Sequence, residues 1–169
     1  MIRIYFAGPL FTTYERKFID ECTAKLRAEG FEVFVPHEGF QKMDAAERQT
    51  MENLDDRGKA LNCFFKDYEA LSWANVLVAM IDGTQVDDGT ATEIGIFCEQ
   101  MLSGKDKKGV FALTSDMRVG PKAISGEMKQ PNFFTIGAVY RAGGEIYDNI
   151  DDIILKLKDI DRRQQTQPA

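Results

Sequence analysis

The chain predicts an α/β fold: a flavodoxin-like or Rossmann-like three-layer sandwich on a five-stranded, mainly parallel sheet. Three observations predict it. Short apolar runs alternate with longer segments of helical periodicity, the order that gives a parallel sheet covered on both faces with right-handed crossovers. Glycine, proline or aspartate closes several of the apolar runs, where a strand must turn into a helix. Finally, 169 residues, 44% of them hydrophobic and 11% aromatic, suffice for one ordinary globular core.

Ile2 to Ala7 reads as the first strand, ended by Gly8-Pro9. Tyr14 to Glu29 puts Phe18, Ile19, Cys22 and Leu26 on one helical face and stops at Gly30. Phe31 to Val35 alternates as a second strand and ends at Pro36. Residues 37–58 are polar, with a weak helical pattern broken at Gly58. Lys59 to Trp73 is a helix whose apolar stripe includes Leu61, Phe64, Phe65 and Leu71. Val76 to Ile81 is the third strand, Thr90 to Leu102 the helix after it, and Val110 to Thr114 the fourth strand. Two glycines and two prolines make residues 115–131 a long loop. Glu145 to Tyr147 forms a short fifth strand, and Ile150 to Ile160 a last helix. The domain is expected to end at residue 160, with 161–169 a disordered tail because no apolar residue anchors it.

Composition narrows the function. A formal charge of −6 without a basic cluster disfavours nucleic acid as a partner, because phosphate backbones need a positive field. No apolar run approaches the length of a membrane span, and the N-terminal run is too short for a signal peptide. Cys22, Cys63 and Cys98 lie far apart in helical segments, which suits buried thiols in a reduced, cytoplasmic protein. His37 is the only histidine, so a multi-histidine metal site is excluded. Neither G-x-G-x-x-G nor G-x-x-x-x-G-K-[ST] occurs, which disfavours nicotinamide, flavin and nucleoside-triphosphate sites of the usual kinds. No metal and no cofactor are expected.

The candidate site lies at residues 82–95, where the third strand gives way to a helix. In open α/β sheets, ligands sit in the crevice beyond the strand C-termini. Glu93 has two readings. Thr90-Ala91-Thr92-Glu93 fits a capping box, in which the glutamate folds back onto the helix start. Alternatively, Asp82, Asp87 and Asp88 crowd the same turn with more charge than capping needs, and such crowding raises the pKa of a candidate acid. Asp67, between Lys66 and Glu69, reads by itself as part of a solvated face. Tyr5 is a phenol near the end of a strand that is usually aliphatic, placed to orient a carboxylate by hydrogen bonding. Gly8-Pro9 reads equally as a turn or as the approach to a ligand. His37 is expected to satisfy a loop backbone. Phe11, Trp73, Phe133 and Phe134 are expected in the core, though any of them at the crevice could stack a heterocycle.

Tyr5-Phe6-Ala7-Gly8-Pro9-Leu10-Phe11, then Asp67, then Asp87-Asp88-Gly89-Thr90-Ala91-Thr92-Glu93-Ile94-Gly95, then Pro131-Asn132-Phe133 together resemble the nucleoside 2-deoxyribosyltransferases. The resemblance runs from residue 2 to about residue 140, with the motifs in family order. It implies a flavodoxin-like fold and transfer of 2-deoxyribose from one nucleobase to another in nucleoside salvage, without a cofactor. By resemblance, Glu93 corresponds to the nucleophile that attacks C1′, and Tyr5 to the phenol that holds it. Asp67 and Asp87 correspond to the carboxylates that bind the nucleobase, one of them delivering its proton. Gly8, Pro9, Phe11, Asp88 and Gly89 fall in the substrate-binding segments. Asn132 resembles the asparagine that reaches a neighbouring subunit's sugar 5′-hydroxyl, which implies a homo-oligomer. The partners so implied are a deoxynucleoside and a free nucleobase.

Two departures stand out. This chain has Asn132-Phe133-Phe134 where the family often has Asn-Leu-Met, and it ends in Gln-Pro-Ala where some members place a terminal carboxylate after an aromatic residue. Hydrolases of deoxynucleoside monophosphates share the sheet and the Glu-x-Gly segment. Beyond the first strand, however, Thr12 and Thr13 are the nearest hydroxyls, and Leu10-Phe11 is apolar for a phosphate cradle. An N-glycosidase that admits water, and a ligand-binding module without turnover, are the other readings.

Overall fold

The computed structural model describes residues 1–117 and 131–166. Five parallel strands are ordered β2-β1-β3-β4-β5: β1 Arg3–Ala7, β2 Glu32–Phe34, β3 Val76–Met80, β4 Gly109–Leu113 and β5 Ile146–Tyr147. Between and after them lie α1 Thr13–Ala28, α2 Pro36–Gln41, α3 Ala45–Glu52, α4 Asp56–Trp73, α5 Asp88–Leu102, α6 Phe133–Arg141 and α7 Ile150–Thr166. This is the flavodoxin-like α/β sandwich that the alternation predicted. Its strand order reverses between β1 and β3, and a crevice opens beyond the strand ends at such a point.

The strands are buried on both faces, so their alternate side chains enter two separate cores. Ile4 and Phe6 of β1, with Val76, Val78, Phe111 and Leu113, pack against α1 and α7 through Ile19, Leu26, Ile153 and Leu157. Tyr5 and Ala7, with Leu77, Ala79, Val110 and Ala112, face α4, α5 and α6 through Leu71, Ile94, Phe97, Ile136 and Val139. Each such aliphatic or aromatic side chain stabilises the fold by about 1.5–3 kcal/mol when fully buried. This two-sided burial turns Tyr5, and not its neighbours, toward α4 and α5.

The polar stretch 37–58 is more ordered than its weak pattern suggested. Asp44 caps α3 in a reciprocal box with Glu47. Asp55 accepts the Gly58 amide and starts α4 three residues before the predicted start, so the helix runs through Gly58 instead of breaking there. A capping aspartate that satisfies an otherwise orphaned amide outweighs one glycine's cost. Helix α6 was not predicted. Asn132 caps it by accepting the Phe134 amide, and Ile136 and Val139 bury one narrow face. At its end, a Cβ on Gly144 would lie 1.4 Å from the Val110 carbonyl oxygen, so only glycine fits where the chain passes β4. Helix α7 continues to Thr166, six residues past the predicted end. Most of the predicted 115–131 loop, and the end of the predicted tail from 167, lie outside the described residues.

Four aromatic residues expected in the core are not there. Phe11, Phe133 and Phe134 are 81%, 82% and 90% exposed, and Trp73 is partly so. Phe133 and Phe134 open a helix whose buried face begins only at Ile136.

Candidate active site

Strand β1 ends at Ala7, and the chain leaves the sheet through Gly8, whose position admits no side chain comfortably: a Cβ would meet Ile19 Cδ1 and Met80 Cβ at 3.0 Å. That close approach brings the start of α1 against the β1/β3 crevice. From the other side, Asp87 caps α5, its Oδ2 accepting the Thr90 amide at 3.0 Å and the Thr90 hydroxyl at 3.1 Å.

With the cap at Asp87, Glu93 lies a full turn inside the helix. The Thr90-to-Glu93 capping box is therefore corrected: Thr90 is buried in the first turn, and the glutamate is out of reach of the N-cap amide. Instead, the Tyr5 hydroxyl donates to Glu93 Oε1 at 2.5 Å. On α4, the Cys63 thiol donates to Asp67 Oδ2 at 3.5 Å, one helical turn along the same face. Asp67 is thus drawn off the solvated face that its charged neighbours suggested and is half-buried.

These groups border a cleft of about 500 Å³, lined among others by Gly8, Phe11, Asp67, Asp87, Gly89 and Glu93. That volume is in the range of small-molecule sites. Of the residues singled out from sequence, Tyr5 reaches the cleft through Glu93. Pro9, Asp88 and Asn132 do not line it. Asp88 is exposed at the start of α5, and Asn132 caps α6, its Oδ1 accepting the Phe134 amide. Asp82 is held away by Thr114 and by Ser115, whose hydroxyl and amide it accepts, so it ties β3 to β4.

Withdrawal from water dominates the electrostatics. Burial pushes the Glu93 carboxyl up to about 8, the Tyr5 hydrogen bond opposes this, and the nearby Asp67 and Asp87 charges add to it. Burial likewise holds Asp67 above the usual carboxylate range, against the Cys63 and Tyr5 hydrogen bonds. The Tyr5 phenol is raised far above its ordinary value by burial and then by the Glu93 and Asp67 charges, so it is a fixed donor and not a base. The cleft therefore presents two carboxyl groups that burial biases toward their protonated forms, one of which, Glu93, is held by a phenol. Such a pair can offer one nucleophilic or charge-stabilising oxygen and one proton. Among the described residues no group of three or more His, Cys, Asp or Glu side chains is placed to hold a metal ion.

Several lining residues escaped the sequence reading: Leu10, Arg16, Pro36, His37, Gln41 and Cys63. His37 does not satisfy a loop backbone; its Nε2 pairs with Asp20 Oδ1 at 2.9 Å. One signal was available for Pro36 and His37, because strands of a parallel sheet end at the same edge and β2 lies beside β1. Cys63 could have been found from its i, i+4 spacing to Asp67. Nothing local marks Arg16 or Gln41.

Residues 4–143 match the family model Nucleoside 2-deoxyribosyltransferase. No curated protein matches the chain by sequence. Among solved structures, a conserved protein from Enterococcus faecalis V583 is similar at 24% identity with a TM-score of 0.71, over 94% of this chain and 98% of that one. A 2-deoxyribosyltransferase from the psychrotolerant bacterium Bacillus psychrosaccharolyticus is similar at 22% identity and a TM-score of 0.62, over 90% of each chain. A CMP N-glycosidase from Clostridium botulinum is similar at 20% identity and a TM-score of 0.53, over 92% of this chain and 97% of that one. No helix among the described residues is long and apolar enough to cross a membrane.

Proposed function

We propose that this chain, which belongs to the nucleoside 2-deoxyribosyltransferase family, moves 2-deoxyribose between nucleobases of deoxynucleosides through a glycosyl ester on Glu93. One observation carries the reading: the Tyr5 hydroxyl grips Glu93 at 2.5 Å in a cleft that Asp67 and Asp87 also line. In the first half-reaction the Glu93 carboxylate forms a bond to C1′ as the C1′–N bond breaks. The bonding pair leaves with the base nitrogen, which takes a proton from Asp67. The transition state resembles an oxocarbenium ion, so a pre-positioned anion beside C1′ stabilises the charge that develops. An incoming base then reverses each step and returns the proton to Asp67, and two displacements at C1′ retain configuration. Asp87 adds a free carboxylate oxygen at the base end of the cleft while its other oxygen caps α5.

Incubation with deoxyinosine and adenine tests this: deoxyadenosine should appear, and a peptide carrying Glu93 should gain one deoxyribosyl group in mass when acceptor base is withheld. Normal exchange by Glu93→Ala would sink the proposal. A second reading is an N-glycosidase, in which water captures the same intermediate. It is favoured by the exposure of Phe11 and Arg16 at the rim of the cleft in the isolated subunit. Free deoxyribose without deoxyadenosine in the same assay marks that outcome. We further propose that a neighbouring subunit closes the cleft with Asn132, and that the reaction belongs to salvage in the cytoplasm.

A further inference from the structure

A second cavity, of about 820 Å³, lies under α2 and α3 against the edge strand β2. Pro36, Cys63 and Asp67 border both it and the catalytic cleft. One part of its wall is apolar, with Phe31, Phe34, Met43, Ala70 and Trp73, and charged side chains border the rest. The Phe34 ring stacks on the Tyr5 ring with centroids 5.4 Å apart, so the chamber abuts the phenol that holds Glu93. The mechanism above uses none of this space. This space shares Asp67, the carboxyl proposed to grip the nucleobase, and so lies next to the far edge of a base held there.

We propose that this chamber binds a bulky apolar substituent, aryl or branched alkyl, borne by the nucleobase. The proposal rests on the functional reading above, since Asp67 must hold the base edge where the two cavities share their lining. Apolar area removed from water supplies the affinity, and the aromatic wall favours a flat ring. Charged side chains such as Lys42, Lys66 and Glu69 also border the chamber, which leaves its polar rim wet and its aromatic wall as the binding surface.

The test uses adenine and N6-benzyladenine, with two readouts. Trp73, the only tryptophan of the chain, lines the chamber, so its fluorescence reports occupancy independently of turnover. N6-benzyladenine should change that fluorescence saturably, and adenine at least tenfold less. In base exchange, N6-benzyladenine should serve as acceptor within about tenfold of adenine in kcat/KM. Gly39→Leu fills the chamber from α2; a Cβ there meets only Phe34 Cζ at 3.9 Å, so the variant has room to fold, and circular dichroism verifies that it does. It should lower kcat/KM for N6-benzyladenine at least tenfold and leave adenine within twofold. Equal loss for both bases, or no fluorescence response to N6-benzyladenine from protein that still exchanges adenine, overturns the chamber. A second copy of the chain covering this face would give that same negative result. Absence of any exchange or hydrolysis with the fluorescence response intact overturns the functional reading and leaves the chamber as a binding site.

Discussion

At the scale of single residues, the proposed chemistry turns on how far Glu93 is withdrawn from water. With its pKa near 8, the nucleophilic form grows as pH rises, so kcat/KM for base exchange should climb through about pH 8. Tyr5→Phe removes the hydrogen bond that favours the ionised carboxylate. The climbing limb should then move to higher pH, with exchange at pH 7 reduced on the order of 10–100-fold as positioning is lost as well. An unchanged limb in a pH–rate profile would remove Tyr5 from the site. Stability carries the same signature with opposite sign. Between about pH 4.5 and 8 the native protein keeps a proton on Glu93 that the unfolded chain has released, so stability falls as pH rises through that window. Glu93→Gln removes this slope. Calorimetry should find the variant's Tm higher than wild type at pH 8.5 and the gap closing toward pH 4.5, at about 2–4 °C for each kcal/mol. Lost activity with gained stability is what a functional buried carboxyl predicts.

At the scale of elements, α5 and α4 are the two arms that bring carboxyl groups to the crevice, and each is tied down by a distinct device. Asp87 does so for α5 through its bonds to Thr90. Asp87→Ala should cost about 1 kcal/mol through the lost cap. Asp87→Asn, which can cap equally well, should keep the Tm within a degree or two and lower exchange if the carboxylate itself acts on the base. Identical exchange in Asp87→Asn and wild type would reduce Asp87 to a cap. For α4 the device is Lys107, whose buried ammonium donates to the Leu71, Ser72 and Ala74 carbonyls at the helix end and sits over the Phe97 ring. Lys107→Met leaves those carbonyls unpaired and should destabilise by about 1–3 kcal/mol, read as a fall in Tm. These ties lie beyond the reach of sequence patterns. The Asp87 cap could have been read from its place before Asp88-Gly89, but Thr90-x-x-Glu93 offered a competing cap of equal local quality. Lys107 met its acceptors across 33 to 36 positions, a separation that no window spans.

At the scale of the whole molecule, the proposed sharing of Asn132 between subunits makes a prediction of its own. Asn132, the residue that the family resemblance assigns to the sugar, is absent from the lining of its own cleft and caps α6 beside the exposed Phe133 and Phe134. On α4, Phe64, Phe65 and Tyr68 form a second exposed aromatic group, with neighbouring centroids 5.7 and 5.9 Å apart. If subunits exchange Asn132, two defective variants should repair one another. Glu93→Gln and Asn132→Ala, each inactive or strongly impaired alone, should recover up to about a quarter of wild-type exchange when unfolded and refolded together, because mixed pairs then hold one intact site. No recovery from a mixture shown to form mixed oligomers by mass spectrometry would place Asn132 outside the site.

Hydrophobic periodicity and the strand-to-helix turns at Gly8-Pro9 and Asp87 are local properties of the chain, so the layer architecture and the parallel sheet were legible before folding, and the motifs from Tyr5 to Phe133 carried the family resemblance. It also marked Tyr5, Asp67, Asp87 and Glu93 as candidates. Folding, by contrast, was needed to show that Tyr5 meets Glu93 across 88 positions, that a half-buried Asp67 borders the same cleft, and that Pro36, His37 and Cys63 line it as well. The physical reason is burial. Which face of a strand or helix is withdrawn from water depends on what packs over it, and that withdrawal both aims these side chains and sets how they hold their protons.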